Sequence, residues 1–300
     1  MISWQLVALD LWLRSVEKAR LARARSVPAA RARMERLAAR FAPRDGTRFT
    51  AGRVGRRPAL RRAAPEGGGV LLWLHGGAFC LGSPRTHVRL VAALAAAAGT
   101  GAAIPTYRLA PEHPFPAAVD DARAAWEGLL AEGMAPGRIV LGGDSAGGGL
   151  AFALLHELLA RGGPAPAGVV AFSPWTDLTL SGASLRALAR RDAFLPAARM
   201  TEVRDQYLAG ADPFDPRASP HLGRFRGAPP VMIQASRAEI LLDDARMMAA
   251  ALGAAGTAVT LDLVPAVPHV WQVYHGWLPE ADAALARAAA FVRRCLAAEG

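Results

Sequence analysis

Cysteine is scarce in this chain: Cys80 and Cys295 are the only two, and they stand far apart. Two lone thiols give neither a disulfide framework nor a metal-ligand spacing, so the sequence reads as a reduced, cytoplasmic protein. Lysine is rarer still, Lys18 being the single one among 35 basic residues. A long apolar run of the kind that spans a membrane is missing. The opening "MISWQLVALDLWLRSVEKARLARARS" sets Ile2, Leu6, Leu9, Leu13 and Val16 at helical spacing, is interrupted by Asp10 and has no small-residue cleavage site. It reads as an amphipathic helix. Nucleotide-binding glycine signatures are also lacking, with neither G-x-x-x-x-G-K-[ST] nor G-x-G-x-x-G near the glycine-rich loops.

What is abundant is apolar residue and arginine. At 52% hydrophobic and 20% charged over 300 residues, the chain can bury a sizeable core as one large α/β domain with an attached cap. The net charge of +10 suggests nucleic acid or membrane until its distribution is considered. Residues 1 to 62 hold sixteen basic residues against Asp10, Glu17, Glu35 and Asp45, a local net of +12, which leaves the remainder near neutral at −2. A solvated helix face explains the basic segment without a nucleic-acid partner. The sequence leaves peripheral contact with lipid through Trp4, Trp12 and the arginines open, but favours a cap helix that packs Trp4 and Leu13 on the main body. A homodimer is equally open.

Beyond a second basic helix, "AARARMERLAARFA", the rhythm changes. Short apolar runs predict eight strands, at 47–54, 58–64, 70–76, 101–107, 138–144, 168–174, 230–236 and 258–264, with helices between most of the later ones. Two early strands with no helix between them, followed by strand–helix repeats, predict an antiparallel edge running into a mostly parallel sheet covered by helices on both faces. More than fifty residues separate the strand ending near Ser173 from the one starting at Pro230, too many for a plain connection. The expected division is therefore N-terminal cap helices over 1–45 and the main α/β domain over 46–300, with a cap insertion at about 178–225.

The chemistry centres on "LGGDSAGGGL". Gly143-Asp144-Ser145-Ala146-Gly147 matches G-x-S-x-G between an apolar strand and a helical stretch, the context in which a sharp, strained turn presents a nucleophilic serine. Such a serine needs a base, an acid to orient it and donors for an oxyanion. Gly76 and Gly77 of "LHGGAFCLGSP" can supply N–H groups, joined by that of Ala146. His75 in the same loop is expected to brace it. Among seven histidines, His269 lies just beyond the last predicted strand, after Pro265 and Pro268, which delay a helix, and His275 is the second choice. Glu239 directly follows the preceding strand, whereas Asp243 and Asp244 begin a helix and are explained by capping and the helix dipole. Glu239 is the expected acid. Asp144, Glu112 and Asp120 are read as structural, and His87, His113, His156 and His221 as surface or packing residues.

At "HGGAFCLGSPRTH", "YRLAPEHPFPAAVDD", "GDSAGG", "SPWTDLTLSG", "EILLDDA" and "PHVWQ" the chain resembles the hormone-sensitive-lipase-like, or bacterial family IV, α/β-hydrolase esterases, from about Val70 to Val292. The resemblance implies a serine carboxylesterase with an N-terminal cap, no cofactor, and Ser145, His269 and Glu239 as nucleophile, base and acid. Its expected partner is a small-molecule ester of short to medium acyl length. An amidase on the same triad, or a non-catalytic ligand-binding relative, are the alternatives. Two departures stand out. Ala78 replaces the third glycine of H-G-G-G, tolerable if its φ stays negative, and Arg237 in "ASRAE" is placed to compete with an imidazole for Glu239.

Overall fold

The computed structural model describes residues 2–24, 26–39 and 49–298. The expected boundary between residues 45 and 46, and the first two residues of the strand predicted at 47–54, lie outside them.

Among these residues eight strands form one sheet: β1 Thr50–Val54, β2 Arg57–Arg62, β3 Val70–Leu74, β4 Gly101–Pro105, β5 Ile139–Asp144, β6 Gly168–Phe172, β7 Val231–Ser236 and β8 Val259–Val264. Their order is β1-β2-β4-β3-β5-β6-β7-β8. β1 pairs antiparallel with β2 and β2 antiparallel with β4, while every later pairing is parallel. All eight predicted strands are present, most of them a residue or two shorter at their ends. The central strands β3, β5, β6 and β7 are buried throughout, which is why they read as unbroken apolar runs rather than as alternations.

Among the described residues ten helices accompany the sheet: α1 Trp4–Trp12, α2 Lys18–Arg23, α3 Val27–Ala39, α4 Pro84–Ala98, α5 Ala117–Ala131, α6 Ala146–Ala160, α7 Ser184–Ala187, α8 Met200–Leu208, α9 Leu242–Ala254 and α10 Pro279–Ala297. The two pleat faces of β3 show how the layers are built. Leu72 and Leu74 face a core shared with α5, α6 and α9, and Leu71 and Trp73 face a second core shared with α4 and α10. The carboxyl ends of the parallel strands point the same way, so the loops that follow β3, β5, β6, β7 and β8 gather along one edge.

The stretch after β6 is largely turns around the short α7 and the nine-residue α8, less helical than its expected role as a helical insertion. It is fastened to that edge by side chains. Tyr207 of α8 stacks on Phe79 with centroids 3.8 Å apart, and Asp192 accepts from the N–H groups of Phe194, Leu195 and Ile240. The N-terminal helices join it. α1 continues through a π-helical turn, Leu13–Glu17, into α2, and Leu6, Leu9 and Leu13 are buried against Ala193, Val267, Trp271 and Leu278.

Two expectations about this segment need correction. Leu13 packs as expected, but Trp4 is 71% exposed, because it lies on the helix face opposite Leu6, Leu9 and Leu13. The basic residues are also not simply a solvated face. Lys18 donates to the carbonyls of Ala189 and Asp192, Arg14 to those of Arg190 and Arg191, and Arg199 reaches back to Ala22 and Ala24. Carbonyls at the ends of turns lack backbone donors, and long cationic side chains from a neighbouring element satisfy them.

Candidate active site

Ser145 occupies the one-residue turn between β5 and α6 with φ 53° and ψ −125°, a conformation that costs an L residue about 1–3 kcal/mol and persists only where the surroundings impose it. Its N–H donates to Phe172 O at 2.8 Å, and its carbonyl accepts from Trp175 at 2.9 Å and Gly149 at 3.1 Å. The flanking glycines allow the turn to close. A Cβ at Gly143 would strike the Gly147 carbonyl, and one at Gly147 would strike the carbonyls of Leu74 and His75. The start of α6 therefore lies directly on the loop after β3. That contact brings Ala146, whose N–H is one of the unpaired donors of a helix start, next to Gly76 and Gly77.

The loop after β3 is unusual in its backbone. Gly77 has φ 124° and its carbonyl accepts from Leu81 at 2.7 Å and Cys80 at 3.1 Å. Ala78 and Phe79 follow with φ 55° and 59°. The expectation that Ala78 keeps a negative φ is thus overturned: the turn requires a left-handed conformation there, and the residue type adopts it at a cost. Arg31 of α3 secures the same loop. Its Nε donates to Cys80 O at 2.7 Å, one Nη donates to Ala110 O at 2.7 Å, and the fork pairs with Glu112 at 2.7 Å and 2.8 Å. Glu112, expected to be structural, is held at about pKa 2, chiefly by the Arg31 hydrogen bond.

Glu239 and His269 meet after β7 and β8. Glu239 Oε2 and His269 Nδ1 are 2.6 Å apart, both side chains essentially buried, and Oε1 accepts from the Ser236 N–H at 2.7 Å. Burial disfavours a charged imidazole, but the Glu239 hydrogen bond and charge, with Asp192 and Asp144 further off, outweigh it and hold His269 above the ordinary histidine range. Phe194 stacks over the ring at 6.1 Å. The N–H of the next residue, Val270, donates to Ser173 Oγ at 3.2 Å. Ser173 follows β6, the neighbour of β5, so this bond ties the histidine loop to the strand end beside Ser145.

The competing acids are engaged elsewhere. Asp244 accepts from the N–H groups of Thr176 and Asp177 at 2.9 Å each, and its pKa is raised by burial and by Asp177. Asp243 accepts from Ser184 N–H at 2.8 Å and pairs with Arg246. Neither caps α9 by side chain, whose first flanking residue is Leu241; both instead fasten the segment after β6. His275 offers its carbonyl to Arg89. Arg237, in the turn after β7, is exposed, with its Nε 3.4 Å from Leu263 O, so it does not contend for Glu239.

One buried group escaped the sequence reading. His87, expected on the surface or in packing, sits with Asp144 behind the Ser145 turn, Nε2 to Oδ2 at 3.1 Å, each side chain 4% exposed. The other Asp144 oxygen accepts from Trp73 Nε1 at 3.0 Å. Burial raises the Asp144 pKa and lowers that of His87, but their mutual attraction wins in both cases, leaving Asp144 low and His87 high. His75 is neutral at ordinary pH, pushed down to about 3 by burial and by His87. It braces the loop as expected, stacked on Tyr107 at 4.2 Å, whose hydroxyl donates to the His75 carbonyl. Among the described residues no group of three or more His, Cys, Asp or Glu side chains is arranged to hold a metal ion, and no helix is long and apolar enough to cross a membrane.

A family model described as an alpha/beta hydrolase fold matches residues 71–273. An acetyl-hydrolase of Streptomyces hygroscopicus is 47% identical over 232 residues, 77% of this chain and 78% of that one. An esterase of Acinetobacter venetianus is 37% identical over 223 residues, 74% of each. Among solved structures, an esterase from the bacterial hormone-sensitive lipase family superposes with a TM-score of 0.92 at 38% identity, covering 99% of both chains.

Proposed function

Since the chain belongs to the hormone-sensitive-lipase-like, bacterial family IV α/β-hydrolase esterases and is a carboxylic ester hydrolase, we propose that it cleaves short- to medium-chain esters through Ser145, Glu239 and His269. The observation that carries this reading is the buried 2.6 Å Glu239–His269 pair on the strand-end edge that also bears the Ser145 turn. The acetyl-hydrolase relative supports the short end of the acyl range.

In this reading His269 removes the hydroxyl proton as Ser145 attacks the ester carbonyl carbon. The carbonyl π pair moves onto oxygen, and the N–H groups of Gly76, Gly77 and Ala146 stabilise that charge. Glu239 accepts the Nδ1 proton in a hydrogen bond and stabilises the imidazolium without itself being protonated. Collapse of the tetrahedral adduct expels the alcohol, protonated by His269. Water, deprotonated by the same imidazole, then releases the acid and restores Ser145. The helices within residues 1–45 and the stretch at about 178–225 serve as the cap, walling the edge where the acyl group enters.

Hydrolysis of p-nitrophenyl acetate, butyrate, octanoate and palmitate by the intact chain and by Ser145→Ala tests the proposal. The expected result is a rate falling beyond octanoate, and loss of roughly three or more orders of magnitude in the variant. Equal rates for the two proteins would remove Ser145 from the mechanism. Faster cleavage of the matching p-nitroanilide would make the protein an amidase.

A further inference from the structure

α1 is apolar on both sides, and only one side is covered. Leu6, Leu9 and Leu13 face the protein; on the opposite side Trp4, Val7 and Leu11, spaced i, i+3, i+7, are 71%, 61% and 68% exposed. A helix apolar all round is normally buried all round. Ile2, before the helix, and Trp12, at its end, are also exposed, and Trp277, 44% exposed, meets Trp4 edge to face at 6.4 Å. Single exposed apolar residues need no explanation, but a contiguous patch of this kind marks a contact surface.

The residues bordering the row indicate what it contacts. Arg14 follows on the same helix, and its donation to the carbonyls of Arg190 and Arg191 draws that stretch alongside, so two exposed arginines flank the apolar face. The one carboxylate in the row's own helix, Asp10, is neutralised by Arg14 at 2.6 Å. Indole rings beside an aliphatic row, with arginines along the Leu11 end, suit the boundary between acyl chains and anionic headgroups; at the Trp277 end Glu280 accepts from Ser3 and Asp282 from the Gly276 N–H. The buried side of the same helix rests on Val267 and Trp271, either side of His269.

We propose that α1 docks this protein on the surface of an anionic lipid bilayer, lying in the interface with Trp4, Val7, Leu11 and Trp277 among the upper acyl chains. Docking would hold the strand-end edge against the lipid, where esters partition. The inference does not depend on the assignment of the triad, because binding is measured without turnover.

Flotation of the full chain with phosphatidylglycerol–phosphatidylcholine vesicles, and with phosphatidylcholine alone, tests it. The expected result is at least tenfold more bound protein on the anionic vesicles. The triple variant Trp4→Ser, Val7→Ser, Leu11→Ser should lose this binding while keeping its melting temperature and its rate on soluble p-nitrophenyl acetate. Arg190→Glu with Arg191→Glu, away from the apolar row, should abolish the preference for anionic over neutral vesicles. Failure to float, or equal flotation of the triple variant, would overturn the proposal. So would a dimer in sedimentation velocity that the triple substitution dissociates, which would assign the face to a second copy of the chain.

Discussion

Replacement of Arg31 by alanine should slow the enzyme without unfolding it. Arg31 belongs to α3, yet its guanidinium holds two carbonyls of the segments around Ala78, those of Cys80 and Ala110, each at 2.7 Å. Between the glycines proposed as oxyanion donors and Cys80 stand Ala78 and Phe79, both left-handed at φ 55° and 59°. That backbone stays in place only while its neighbours hold it. A hydrogen bond to a charged group contributes about 1.5–3 kcal/mol. With the Arg31 side chain 26% exposed, water takes over part of both bonds, and a combined loss of about 1.5–3 kcal/mol is the reasonable range. If this loss falls on the loop, it is felt when charge develops on the carbonyl oxygen and hardly at all when the ester first binds. The expected outcome is therefore a kcat about 10- to 100-fold lower, with KM changed by less than about threefold. Arg31→Lys should recover only part of the loss, since a single ammonium cannot reproduce the fork. Steady-state kinetics on p-nitrophenyl acetate, paired with thermal melting, measures both. A folded Arg31→Ala protein with kcat within twofold of the parent, or one whose KM alone rises, would refute the reasoning.

Three further outcomes follow from the same geometry. Glu239→Gln should cost far more activity than Asp243→Asn, because Glu239 and not Asp243 meets His269; and since the proposed base must act as a neutral imidazole and the His269 pKa is raised, the acid limb of kcat/KM should lie above the ordinary histidine value of about 6.5 and move to lower pH in Glu239→Gln. A limb unmoved by that substitution would remove Glu239 as the source of the shift. Ala78→Gly should leave the fold intact and stabilise it by up to about 1 kcal/mol in urea unfolding, because glycine adopts a positive φ without the Cβ clash while regaining some unfolded-state entropy; a clear loss of stability would mean that the methyl group packs more than the backbone strains. His87→Leu should destabilise by about 3–5 kcal/mol by leaving Asp144 buried and unpaired, and adding Asp144→Asn should restore part of it; a destabilisation below about 1 kcal/mol would show that Asp144 does not need the imidazole.

How much of this was legible in the sequence varies with the range of the interaction. The central strands were visible because a sheet covered on both faces needs apolar residues at every position, and the turns because glycine and proline mark where the chain must bend or approach another backbone. Gly143, Ser145 and Gly147 carried their own context, a strand before and a helix after, and the order of the loops put Glu239 and His269 on the right edge. Arg237 misled because sequence proximity to Glu239 does not reveal which way a turn directs a side chain. Ala78 misled because one residue's φ is set by the closure of the whole loop.

By itself, then, the amino-acid order determined the sheet, the helices between its strands and the loops that would carry a nucleophile, an acid and a base, since each follows from local periodicity and backbone freedom. Only the tertiary structure decided the pairing of His87 with Asp144 across 57 positions, the reach of Arg31 to Cys80 across 49, and which face of α1 meets solvent. Those contacts depend on strand order and on how helices rotate as they settle on the core, and no short stretch of sequence encodes either.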